Sequence, residues 1–229
     1  MQGDCRLPGL RPPVTVACTL YAHNQIAEHY FQGEPVDNQD QIRLFDGDSL
    51  AGYLDSRQRA VGSLVDSITR EQFLAASAET LVRQVVDQLA IAPLVLHLDK
   101  MQSRQDDTKI RKMVDADDYG MPVRREQTVR AHKLSWIIPF SGEALLWQMN
   151  NGPRGEHLGV VDAGQGLLTL TLENTTDVEP SWYQRQMEQT MNEIDRVISD
   201  QGNRLAQFRG KLAEAAESAL ARRRRHVPT

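Results

Sequence analysis

Asp99, Asp107 and Lys109 are residues whose types could support catalysis. An acid followed by acid-x-lysine is an arrangement of metal-dependent nucleases. Two carboxylates hold a divalent ion, and the lysine stabilises charge developing at phosphorus. Alternating charges on the exposed face of a strand account for the same residues more simply. Asp115-Ala-Asp117-Asp118-Tyr119-Gly120, with Glu126 at the twelfth position, partly matches a calcium loop. Such a loop needs oxygen ligands at its first, third and fifth positions, a glycine at the sixth and a bidentate acid at the twelfth. Here Tyr119 takes the fifth position and Pro122 the eighth, with strands as the flanking elements. Asp115, Asp117 and Glu126 therefore read first as an acidic turn and only second as a metal site. His97 and His132 both fall in β-prone runs and could face each other across neighbouring strands. No Gly-x-Ser-x-Gly elbow occurs, and nothing near Cys18, His23 or His29 specifies an activated thiolate.

The charge balance narrows the field further. The net charge of −5 argues against a dedicated polyanion binder, although a local basic patch can exist whatever the overall sign. One such patch is Arg222, Arg223, Arg224 and Arg225, with Arg204 and Arg209 upstream. Cations at a helix C-terminus meet its dipole favourably. Contact with nucleic acid or with an acidic partner is the functional alternative, and the absence of interleaved aromatics weakens single-strand binding. Arginine far outnumbers lysine, as a GC-rich bacterial gene would produce. The two cysteines, Cys5 and Cys18, form no metal-ligand spacing, so a reduced cytoplasm is the simplest setting. No cofactor is implied. No apolar run is long enough for a membrane span, and the first residues lack the pattern of a secretory signal.

The positioning elements follow from periodicity. Residues 1–43 read as an irregular arm, broken by Pro8, Pro12, Pro13 and Pro35. Asp48 or Ser49 caps a helix to about residue 68, with Leu50, Leu54, Val61, Leu64, Val65 and Ile68 inward. Thr69 then opens a second helix to about residue 89, so the two form an antiparallel hairpin. The period next changes to two. Strands are expected over 94–99, 101–114 and 129–140, with a bulge near Lys133 where the alternation slips. Residues 158–162 and 167–172 make a hairpin. Trp136, Trp147 and Trp182 read as core residues, with a ligand pocket between sheet and helix as the alternative.

The final helix spans about 182–225. Met191, Ile194, Ile198, Leu205, Phe208 and Leu212 recur on it at four-three spacing, the seam of a helix that packs on another helix. Gly202 and Gly210 suggest a kink or break, and Gln201 at a seam position argues against an uninterrupted two-stranded coil. The fold class is α+β, with an N-terminal helical hairpin, an antiparallel β-sheet and a long C-terminal helix. The organisation reads as arm (1–43), α+β domain (44–178) and assembly or connector helix (179–229).

The run Leu134-Ser-Trp-Ile-Ile-Pro-Phe-Ser-Gly-Glu143 ends an apolar strand in Pro-Phe-x-Gly-acid. It is preceded by two amphipathic helices and followed by a long Arg-rich one. Over about residues 44–225 this resembles an uncharacterised bacterial module at the N-terminus of presumed antiphage proteins, some of which carry a TIR-type effector domain downstream. The resemblance implies a non-enzymatic assembly, adaptor or sensor subunit of a defence or stress system. No catalytic residue is carried over, because nothing here matches the effector. The seam residues would then contact a protein partner or a second copy. A metal-dependent nuclease or nucleic-acid binder and a small-molecule sensor are the alternative functions.

Overall fold

The computed structural model describes residues 41–116, 122–152, 157–176 and 178–225, the side chains of 112–116 and 122–125 excepted. These residues belong to one compact unit, Gln39–Thr229. Most of the arm expected over 1–43 lies outside the described residues. At its end Ile42–Arg43 already form a strand, β1.

Helix α1 (Leu50–Ser67) begins where the Ser49 side chain accepts from the Gly52 N–H, and it buries Leu50, Leu54, Val61 and Val65. Those spacings return to one face of a 3.6-residue helix. At Thr69 a reciprocal cap forms. The hydroxyl accepts from Gln72 N–H at 3.2 Å, and the Gln72 side chain accepts from Thr69 N–H at 3.2 Å. The single helix expected next is in fact two, α2 (Arg70–Ala75) and α3 (Ala78–Leu89). Ser77 ends the continuity because its side chain caps α3 by accepting from Thr80 N–H.

The strand expected over 94–99 is reduced to β2 (Val95–Leu96), after which the chain turns through a 3-10 segment, Leu98–Lys100. Strands β3 (Gln102–Ala116), β4 (Pro122–Ser141), β5 (Leu158–Asp162) and β6 (Leu167–Thr175) complete an antiparallel six-stranded sheet. Its order is β1-β5-β6-β4-β2, with β3 also paired to β4. The bulge expected near Lys133 is absent: β3 and β4 pair in continuous register from Gln102↔Ile137 to Val114↔Arg125, and the shift falls at Val114/Ala116. The apparent slip arises because Ala131 belongs to the opposite face from Leu134, Trp136, Ile138 and Phe140.

That second set, with Leu168 and Leu170 of β6, faces the core. The other face carries polar cross-strand pairs: Ser135 with Thr171 at 3.2 Å, and Lys133 with Glu173 at 3.6 Å. Phe45, Phe140 and Trp147 meet at one end of the core, Trp147 standing 5.5 Å from each of the other two rings. The Pro-Phe-Ser-Gly-Glu run is a packing corner. Gly142 has φ +106°, and a Cβ there would lie 2.2 Å from the Pro93 carbonyl oxygen. Phe140 N–H donates to the Gly166 carbonyl at 2.7 Å, so one short motif joins the ends of β2, β4 and the β5–β6 hairpin.

Helix α4 (Pro180–Arg224) is 45 residues long, about 68 Å at the standard rise. It runs unbroken through Gly202 and Gly210, where a kink or break was expected. Each glycine lowers helix propensity by about 1 kcal/mol relative to alanine. The buried neighbours Gln201, Leu205, Phe208 and Leu212 hold the segment against the core. The first part of α4 covers the sheet, and the later part packs with α1 and α3.

Candidate functional site

The expected interface residues are placed first. Ile194, Leu205, Phe208 and Leu212 are buried in the chain's own core, and Met191 and Ile198 are half-buried against it. The heptad seam is thus filled by α1, α3 and the sheet. Gln201 is 1% exposed, and its amide donates to the Leu146 and Met149 carbonyls at 3.1 and 3.2 Å. A polar residue on a hydrophobic seam here ties α4 to the 3-10 segment Ala144–Trp147.

The basic end is used in the same way. Arg223 donates to the Val65 and Ile68 carbonyls at the end of α1. Its guanidinium also lies 4.9 Å from the centre of the Phe73 ring, with that of Arg224 at 6.0 Å. The last carbonyls of a helix lack the ordinary helical partner, and Arg223 donates to two at the end of α1, Val65 also accepting from the Ile68 N–H at 3.3 Å. Arg222 and Arg225 are exposed.

Asp99 lies in the 3-10 segment before β3, while Asp107 and Lys109 stand two residues apart within β3. From Gln102 to Asp107 an extended strand runs about 17 Å, so Asp99 is not brought beside the other two. The Asp107 carboxylate instead meets His132 Nδ1 at 3.0 Å and is 89% exposed. His97 N–H bonds to the Pro139 carbonyl, seven positions along β4 from His132, so the two histidines do not face each other. Asp115 ends up within β3, and Glu126 in β4 lies 3.9 Å from Arg111. Asp117 is outside the described residues. Among the described residues no group of three or more His, Cys, Asp or Glu side chains could hold a metal. Trp136 and Trp147 are core residues. The surface grooves lie elsewhere, along Arg185, Gln189 and Glu193 of α4, and between α1 and α4 beside Gly62 and Ser218.

A different feature stands out in the sheet. Strand β4 pairs with β6 only from Ala131 to Pro139, but with β3 from Pro122 to Ile137. The pairs from Lys109↔Arg130 to Ala116↔Pro122 therefore continue past β6 as a two-stranded ribbon, about 25 Å long. Its root is clamped by Tyr183, whose hydroxyl lies 3.4 Å from the carbonyls of His132 and Asn174, residues paired across β4 and β6. Burial pushes the Tyr183 phenol up, partly offset by the Asn174 bond.

The outer edge of β3 is the candidate site. Among the described strands β3 pairs with β4 alone, at fourteen of its fifteen residues, Asp115 falling in the register shift. Every second residue of an edge strand directs its N–H and C=O away from the sheet, a ready template for another strand. Arg104, Asp107, Lys109 and Arg111 are exposed along it, and Asp106 is half-buried in an ion pair with Arg104 at 2.9 Å. Sequence reasoning placed a nuclease-like acid-x-lysine on this strand, Asp107 and Lys109, and drew nothing from its edge. The usable signal was a polar, uninterrupted strand pattern beside a clearly alternating one.

Comparison of the chain with protein-family models, curated proteins and solved structures found no match. Among the described residues no helix is long and apolar enough to cross a membrane.

Proposed function

We propose that the chain is a non-enzymatic assembly or adaptor subunit that recruits a protein strand to the outer edge of β3. The setting is the bacterial defence or stress system implied by the sequence resemblance. The observation that carries this reading is the length of that edge, a fifteen-residue strand paired on one side only. Strand addition supplies affinity through main-chain hydrogen bonds, while side chains at alternate positions select the partner. The seam of α4 supports the same reading in a revised role. It joins sheet and helices into one core and so presents β3 on a rigid support.

Light scattering on the purified chain over a wide concentration range tests self-assembly. A species above 25.8 kDa is expected. A strict monomer, also in the presence of candidate partners, removes the reading.

Nucleic-acid binding is the second reading. Exposed Lys109, Arg111 and Arg130 at the ribbon favour it, since a two-stranded β-ribbon fits the major groove. Salt-sensitive duplex binding that Lys109→Ala weakens would support it, and no binding at low salt would remove it.

A further inference from the structure

We infer that the partner of β3 is β3 of a second copy, antiparallel and in full overlap. Gln102 of one copy then stands opposite Ala116 of the other, and Lys109 lies on the two-fold axis opposite itself. This rests on the assembly reading above and specifies its occupant and register.

The argument is one of charge and parity along the strand. In the full-overlap register Asp107 faces Arg111 of the second copy, and Asp106 faces Lys112. Two-fold symmetry repeats both pairs, so one register places four opposite-charge pairs of positions across from each other. Asp107 and Arg111 are both largely exposed, 89% and 77% by side chain, and so accessible to a second molecule. A shift of two residues one way sets Arg104 opposite Lys112 but also Asp107 opposite Lys109, so its like and opposite charges cancel. A shift of two the other way sets Lys109 opposite Arg111. Like charges directly opposite are unfavourable, so one neighbouring register is penalised and the other breaks even, and neither has the net attraction of full overlap.

Shifts of one residue fail for a different reason. Gln105 and Asp107 pair with Leu134 and His132 of β4 and share their face, the face that α4 covers. Pairing an odd-numbered residue with an even-numbered one would put the helices of the two copies on opposite faces of the joined sheet. Full overlap keeps core face beside core face. Charged residues on an edge ordinarily discourage random strand addition. Here the same charges favour one register over its neighbours, which is how an interface gains specificity. The exception is Lys109 against Lys109 on the axis. It predicts that neutralising this residue tightens the dimer.

The test uses the full chain with Cys5→Ser and Cys18→Ser. Directly opposed residues of antiparallel strands have Cα atoms about 4.5–5.5 Å apart, within reach of a disulfide. Lys109→Cys is expected to give a covalent dimer on mild oxidation, whereas Ser103→Cys, which faces position 115, is expected to give none. Without added cysteines, Asp107→Arg and Arg111→Asp are each expected to weaken the dimer roughly tenfold. Combined in one chain, they restore it, and Lys109→Gln strengthens it severalfold. A wild-type dimer that Lys109→Cys fails to cross-link, with the charge reversals silent, overturns this register and leaves assembly standing. A wild type that is monomeric alone overturns the second copy as occupant, and one that stays monomeric with candidate partners present overturns the assembly reading as well. Duplex binding by a monomer that Lys109→Gln weakens assigns the strand to nucleic acid instead.

Discussion

Helix α4 and strand β3 make opposite impressions in sequence and opposite uses of their surfaces in the fold. The helix displays an apolar seam, the usual mark of an interface, yet Ile194, Leu205, Phe208 and Leu212 are consumed by the chain's own core. The strand displays alternating charge, the usual mark of a solvated surface. Its backbone nonetheless leaves half of its hydrogen-bonding groups directed outward. Apolar side chains record what a chain must bury, and they do not say against what. Backbone groups left over at a sheet edge mark where another chain can add.

The largest effects that sharpen this contrast belong to the helix. Leu212 is fully buried, so Leu212→Ala is expected to cost about 2–5 kcal/mol in urea unfolding. The dimerisation constant of the remaining folded protein should be unchanged. A change in that constant with full stability would return α4 to the role of interface.

Gln201→Leu comes next. It removes the side-chain donor to the Leu146 and Met149 carbonyls, of which Leu146 keeps the Met149 N–H, an expected loss of about 1–3 kcal/mol in the same assay. A neutral or stabilising result would mean that the hydrophobic seam gains more from the leucine than the carbonyls lose.

Arg223→Met retains much of the apolar stem but removes two bonds to the end of α1 and the Phe73 contact. A loss of about 1–2 kcal/mol is expected. Exposed Arg225→Met should stay within about 0.5 kcal/mol. Equal effects at the two positions would show that the basic end acts as a diffuse charge, not through the contacts of Arg223.

The smallest effect is pH-dependent. Hydrogen bonds donated by Gln189 and by His157 hold the Glu193 carboxyl below the ordinary glutamate range. A lowered folded-state pKa gives stability that is present above the unfolded value and is lost as pH falls through the folded one. Glu193→Gln should therefore flatten the acid limb of Tm against pH and leave neutral pH nearly unchanged. An altered Tm at neutral pH with an unaltered acid limb would refute the assignment.

Much of the fold was legible because local chemistry and burial agree. Ser49 and Thr69 announce helix starts, and Leu134, Trp136, Ile138 and Phe140 alternate as a half-buried strand must. The break at Ser77 was harder, since a serine inside an apolar period signals a cap only once its neighbours have turned. The false bulge at Lys133 came from reading Ala131 as a core residue when its small size lets it be shaded on the polar face. The site was less legible than the fold. Gln201 and Arg223 act through carbonyls 55 and 158 positions away in the chain, and no local period encodes that. The free edge of β3 is a property of strand order, which arises only when the sheet is assembled.

The central claim is that β3, and not the α4 seam, carries the contact between copies. Amide hydrogen exchange of the wild type, at concentrations well above and well below dimer dissociation, compares the two directly. The account predicts that alternate amides from Gln102 to Ala116 gain protection as concentration rises, while those of α4 do not change. Concentration-dependent protection confined to α4, with β3 unaffected, would contradict it.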